Sequence, residues 1–194
     1  MNHPSTRQVY THWNERRGSR PAPERAEIDP GAIRRVLADT FLLGFDAAAG
    51  HPFRLAGTRV CAAFSRELKR EAFIGLWRPQ DRALMHELLA RVADASAGFV
   101  ANATSANREG CELAFELLVL PLRHQGRTDA RVLGSLAPVE MPYWFGVSPI
   151  GPLTLGSHRH LDNVGGEQIC ARLATRALPR RVSRDFVVYD GGRP

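Results

Sequence analysis

The sequence predicts an α+β fold built on an antiparallel β-sheet with helices packed against it. Three observations carry that prediction. Residues 98–140 hold three runs of alternating side chains, interrupted at 107–110 and 124–129 by turn-forming residues. Side chains of a strand point to opposite faces with period two, so each run specifies a strand with one face committed to a core. Upstream stand two shorter strand-like runs and one long amphipathic helical run.

Residues 5–17 read as a short helix on which Val9, Tyr10 and Trp13 form an apolar stripe, with Gly18 as its stop. Such a stripe calls for a partner surface, either its own domain or a second copy of the chain. Arg20-Pro-Ala-Pro23 is a linker of restricted conformation. At 29–37, Asp29 is set to cap a helix and Pro30 to fill its first position, where the missing N–H costs nothing. Residues 40–45 and 53–57 are short strands around a turn at 46–50, and so form a hairpin. Thr58 is placed to cap a short helix over 59–65, and 67–77 holds a further turn or two around Phe73. The longest helix is predicted over 79–97. At 100° per residue its Leu84, Met85, Leu88, Leu89, Val92, Ala95 and Ser96 fall within an arc of about 140°.

The first long strand is predicted over 99–106 and the second over 111–123, where Leu113, Phe115, Leu117 and Val119 share a face opposite Glu112 and Glu116. From Leu117 on, the second strand is apolar on both faces, as for a strand covered on each side. The third covers 132–139. Beyond it, Pro142, Pro149, Gly151 and Pro152 argue for an extended arm, with a short helix at 169–178 and a last strand at 185–189. Tyr143, Trp144 and Phe145 are expected to pack on the outer face of the sheet or to meet a partner. The chain thus divides into an N-terminal helix and linker (1–27), a central domain (28–140) and a partly irregular C-terminal arm (141–194).

A length of 194 residues suits one domain with an appendage, and the 44% hydrophobic and 24% charged composition is that of a soluble globular protein. No apolar run approaches the roughly 20 residues of a membrane helix, and the N-terminus carries no apolar segment of signal-peptide type. Cys61, Cys111 and Cys170 show no paired spacing, which argues against a disulfide framework and for a reducing cytoplasm. The net charge of +6 rests on arginine, since Lys69 is the only lysine. Those arginines are scattered among acids, so composition does not point to nucleic acid.

The order strand, strand, short helices, longer helix and three antiparallel strands resembles the PAS domain. Trp13, the Ile28-Asp-Pro30 lead-in, Phe53-Arg-Leu-Ala-Gly-Thr58 and Arg66-Glu-Leu68 together resemble a family of short stand-alone bacterial PAS proteins of about 190 residues, over roughly residues 5–140. That family carries glycine ahead of the Arg-Glu-Leu, where this chain has Ser65; the difference bears on the local backbone and not on the fold. The resemblance implies a PAS-like five-stranded antiparallel sheet with helices over one face. It also implies a sensory or regulatory module rather than an enzyme. No kinase, cyclase or DNA-binding segment follows, so output is expected through a homodimer or a partner protein in a signalling pathway.

Cofactor versions of the fold are tested against residues. Flavin photoreceptors of this fold need a cysteine in an Asn-Cys-Arg-Phe-type motif, whereas Cys61 lies in Val-Cys-Ala-Ala-Phe. Haem versions use a histidine of the long helix; His86 lies about 130° from the centre of the apolar arc and reads as a solvated histidine. Neither haem nor flavin is expected. What remains is an apolar or amphipathic pocket for an unidentified ligand, lined by Phe64, Leu68, Phe73, Trp77, Met85, Leu88 and Leu89, with Asn102 or Ser105 as polar groups from the sheet. For any one of these residues the plainer reading is a filled core, and it outweighs the pocket. Arg54 and Arg78 are cations that can meet an acidic ligand or make surface contacts.

Two other constellations come from different classes. His158-Arg-His160-Leu-Asp162 has the His-x-His-x-Asp form of a binuclear metal hydrolase, but Asn163 follows where that motif continues with histidine, and a polar loop is the default reading. Arg180-Arg-Val-Ser-Arg184 partly matches a cyclic-dinucleotide clamp without its downstream Ser-x-x-Gly. The alternatives to a sensory module are therefore a small metal-dependent hydrolase using His158 and His160, and a nucleic-acid or cyclic-dinucleotide binder using the arginine-rich tail.

Overall fold

The structure is a computed structural model and describes residues 1–124 and 127–161. Met1–Asp162 groups as one compact unit. Its elements are α1 (Pro4–Arg17), β1 (Thr40–Gly44), β2 (Phe53–Ala56), α2 (Thr58–Ala63), α3 (Pro79–Ala95), β3 (Gly98–Ala106), β4 (Glu112–His124), β5 (Arg127–Pro138) and β6 (Thr154–Leu161). Single 3₁₀ turns lie at Arg25–Glu27, Leu37–Asp39 and Phe73–Leu76. The strands form one antiparallel sheet in the order β2-β1-β5-β4-β3-β6. Among the described residues no helix is long and apolar enough to cross a membrane.

The central strand β4 carries the architecture. Phe115, Leu117 and Val119 enter one core while Leu118, Leu120 and Leu122 enter another, so both faces of the sheet are covered. The inner core lies under α2, the Phe73–Leu76 turn and α3, whose Met85, Leu88, Leu89, Val92 and Ala93 are buried. Leu84, placed in the apolar arc by the 100° rule, stands 39% exposed at its margin. The helix stops at Ser96, which adopts a left-handed φ of 51°.

The outer core is made by α1 and residues 18–37. Val9 and Trp13 are 0% and 2% exposed against Leu118, Leu120 and Leu133, so the stripe of α1 is spent on its own domain. Trp13 Nε1 donates to Pro121 O at 2.8 Å. Pro121 lies past the end of β3, which pairs with β4 only from Phe99 opposite Val119 onward, so its missing N–H breaks no ladder bond. Beyond it, Arg123 N donates to Pro23 O, and the linker extends the sheet where β3 has ended.

The helix expected from Asp29 does not form. Asp29 Oδ1 accepts from Gly31 N at 2.8 Å, and the chain continues in tight i→i+3 steps from Gly31 through Ile33 and Val36 to Asp39. That period places Ile33 and Val36, three apart, on the same side toward the outer core. Nor does Thr58 cap α2. Gly57 stands at the cap, its N–H bonded to Thr40 O, and an added Cβ there would overlap the carbonyls of Leu37 and Ala38. Only glycine fits so close a backbone approach. The helical turns expected across 67–77 reduce to the 3₁₀ turn at Phe73–Leu76.

Residues 141–161, the described part of the arm, are more ordered than their prolines suggest. Ile150 N, Gly151 N and Leu153 N bond to the carbonyls of Ala63, Ala106 and Leu76, stitching 150–153 along the inner layer. Trp144 and Phe145 pack on the inner core, not on the outer face, while Tyr143 stays 93% exposed. The segment holding His158 and His160 is no loop but the edge strand β6, paired with β3 (Phe99 with His160, Ala101 with His158). The helix at 169–178 and the strand at 185–189 lie outside the described residues.

Candidate functional site

Phe64, Leu68, Phe73, Trp77, Met85, Leu88 and Leu89 come together as one buried cluster between the helices and the inner face. Phe41, Phe53, Phe73 and Trp77 interlock at ring-centroid distances of 5.5–5.8 Å. The Trp77 Nε1–H is buried with no partner among the described residues, a donor that an acceptor within this core would satisfy. Ser105 also faces inward, but its hydroxyl donates to Gly151 O at 2.9 Å and so anchors the arm.

Asn102 and Arg54 do not join this cluster. Asn102 alternates with Ala101 and Ala103, which are in the inner core, so it points to the other face, exposed, with Nδ2 donating to Ser157 Oγ. The guanidinium of Arg54 lies over Gly44, whose neighbour Leu43 points inward, which puts the arginine on the outer face. Arg78 is exposed at the start of α3.

A second constellation has no local signature in the sequence. Asp39, 1% exposed, holds Arg59 of α2 in a bidentate pair, Nε to Oδ1 at 2.5 Å and Nη2 to Oδ2 at 2.7 Å. The same carboxylate accepts from Ser5 Oγ of α1 at 2.6 Å. The pair holds the Arg59 guanidinium above its ordinary pKa, chiefly by the hydrogen bond to Asp39. Just ahead of α1, Asn2 N and His3 N donate to Glu116 of β4 at 2.7 and 3.0 Å. The N-terminal end of α1 is thus tied to two carboxylates and its other end to Pro121.

His51 and His86 form a third group. His51 is 1% exposed, adopts a φ of 57° and has an Nδ1 without a hydrogen-bond partner among the described residues. Its ring packs between Phe45 at 4.8 Å and His86 at 5.4 Å. His86 is therefore a half-buried packing partner of His51 and not a solvated histidine. Burial first, and the neighbouring His86 second, lower the pKa of His51 to about 4. On β6, His158 and His160 lie with ring centroids 6.4 Å apart, and among the described residues no group of three or more His, Cys, Asp or Glu side chains is placed to hold a metal. Arg180–Arg184 lies outside the described residues.

Comparison with known proteins bears on the fold. The sequence profile of the PAS domain family matches residues 1–137. No curated protein matches. Among solved structures, the chain is similar to an RNA-binding light-oxygen-voltage receptor, with 16% identity and a TM-score of 0.44, over 60% of this chain and 35% of that one. It thus spans about a third of that receptor's length. It is also similar to the PAS domain of an HTR-like protein from Haloarcula marismortui, with 12% identity and a TM-score of 0.38, over 56% of this chain and 91% of that one. With the family profile matched over most of its length and the sheet of that fold in place, the chain belongs to the PAS domain family.

Proposed function

We propose that this PAS domain is a sensory module whose response is carried by the docking of α1 on the outer face of its sheet. A small molecule or a partner protein that shifts α2 changes the hold of Asp39 on Ser5, and α1 loosens or tightens in response. Undocking frees Val9 and Trp13, the stripe now buried in the outer core, for a second copy of the chain or a partner. Such a switch needs two states that a ligand binds with different affinity. The domain acts by binding, without catalysis of its own.

The observation that carries this reading is the shared carboxylate. Asp39 bonds both to α1, through Ser5, and to α2, through Arg59. Removing either bond leaves a buried charge less well compensated, which raises the dependence on the other.

A double-mutant cycle tests it. Ser5→Ala and Arg59→Gln are each made and then combined, with stability read by chemical denaturation. The reading predicts a coupling of about 0.5–3 kcal/mol between these two residues, although no hydrogen bond joins them directly. Effects that add to within about 0.5 kcal/mol would remove the basis for it.

A further inference from the structure

The outer core does not close at its β1–β2 edge. There Ile28, Ile33, Leu37, Leu42, Leu55 and Leu133 wall an open apolar groove of about 360 Å³, bounded by the backbone of Gly57. Its volume lies in the range of small-molecule sites, about 300–1,000 Å³. Leu55, on the short edge strand β2, is 46% exposed, a large apolar side chain left to water where a covered one would be more stable. Two sequence features singled out above, Ile28-Asp-Pro30 and Phe53-Arg-Leu-Ala-Gly-Thr58, converge on this groove, which lies on the face opposite the aromatic inner core. Gly57 makes the convergence possible, since it lets the 37–38 backbone approach β2.

Arg25 is the single charged residue of the lining. It is half-buried, and none of its side-chain atoms enters a hydrogen bond or ion pair with a described residue. By contrast, the neighbouring Arg20 and Arg123 are paired with Glu27 and Glu24. A guanidinium held beside apolar walls offers a planar fork to a carboxylate.

From this complementarity we infer that the groove is a binding site for a small amphipathic monocarboxylate, its apolar body along Leu42, Leu55 and Leu133 and its carboxylate on Arg25. The inference goes beyond the sensory reading and does not need it: the groove can bind with the Asp39 coupling absent, and the coupling can exist with the groove empty.

Calorimetric titration with decanoate and with 1-decanol tests the site. Decanoate is expected to bind at about 1 mM or below, and more tightly than the alcohol. Arg25→Gln should weaken decanoate about tenfold, the loss of a charge-assisted bond, and leave decanol unchanged. Leu55→Glu, at a half-exposed position, should abolish decanoate binding in a variant whose cooperative thermal unfolding shows that it is folded. Equal binding of acid and alcohol, binding indifferent to both substitutions, or no binding of decanoate at about 1 mM would each overturn the assignment.

Discussion

Trp13 and Pro121, 108 positions apart, are joined by a 2.8 Å hydrogen bond from the indole N–H to the proline carbonyl. The bond is buried and fixes the C-terminal half of α1 at the point where β4 outruns β3. Trp13→Phe keeps an aromatic ring but leaves the Pro121 carbonyl without its donor. Destabilisation of about 1–3 kcal/mol is expected on urea denaturation. An unchanged midpoint would mean that the indole N–H contributes nothing to docking.

Ser65 sits at a φ of 50°, a conformation that costs a residue with a Cβ roughly 1–2 kcal/mol. It is exposed at the end of α2, and its hydroxyl makes only a 3.5 Å contact to Ala62 O. The resemblance implies glycine at this position, and glycine adopts such a φ without strain. Ser65→Gly should stabilise the domain by about 0.5–1 kcal/mol once the greater chain entropy of glycine is offset. Thermal denaturation checks this, and a lower melting temperature in the variant would contradict it.

His51 makes stability depend on pH. Its folded pKa of about 4 lies below the ordinary value of 6.5, so the unfolded chain binds the proton more readily between these values. Stability from this residue is complete above about pH 6.5 and is lost as pH falls from there toward 4, by on the order of 3 kcal/mol. His86, which packs against His51, adds repulsion once both rings are charged. In His51→Asn, a residue that tolerates positive φ, this part of the pH dependence should vanish. Denaturation at pH 7.5, 6, 5 and 4 gives the comparison; parallel curves for the two proteins would show that His51 is not the titrating group.

The strands and the long helix were legible because their apolar positions repeat at the period of the element. The two-faced run from Leu117 announced a doubly covered strand, and both cores now meet there. The edge strand β6 was not legible: it holds Gly156, Ser157, His158, Arg159 and His160, and pairs through its backbone with little apolar alternation to give it away. The capping signals at Asp29 and Pro30 were real, but Asp29 spends its carboxylate on a turn at Gly31. Asn102 and Ser105 could have been separated in advance, since residues three apart in a strand face opposite ways. The Asp39 node could not. Its partners stand 34 and 20 positions away, and no local pattern encodes a polar contact at that distance.

The most direct test of the coupling between α2 and α1 is hydrogen exchange in Arg59→Gln. This substitution removes the bidentate hold on Asp39 from the α2 side and changes no residue of α1. Amides of Pro4–Arg17 are expected to exchange about tenfold faster or more, in excess of any change in the β4 amides, which report global opening. Acceleration confined to α2, or equal in α1 and β4, would contradict the claim that Asp39 carries a signal between them.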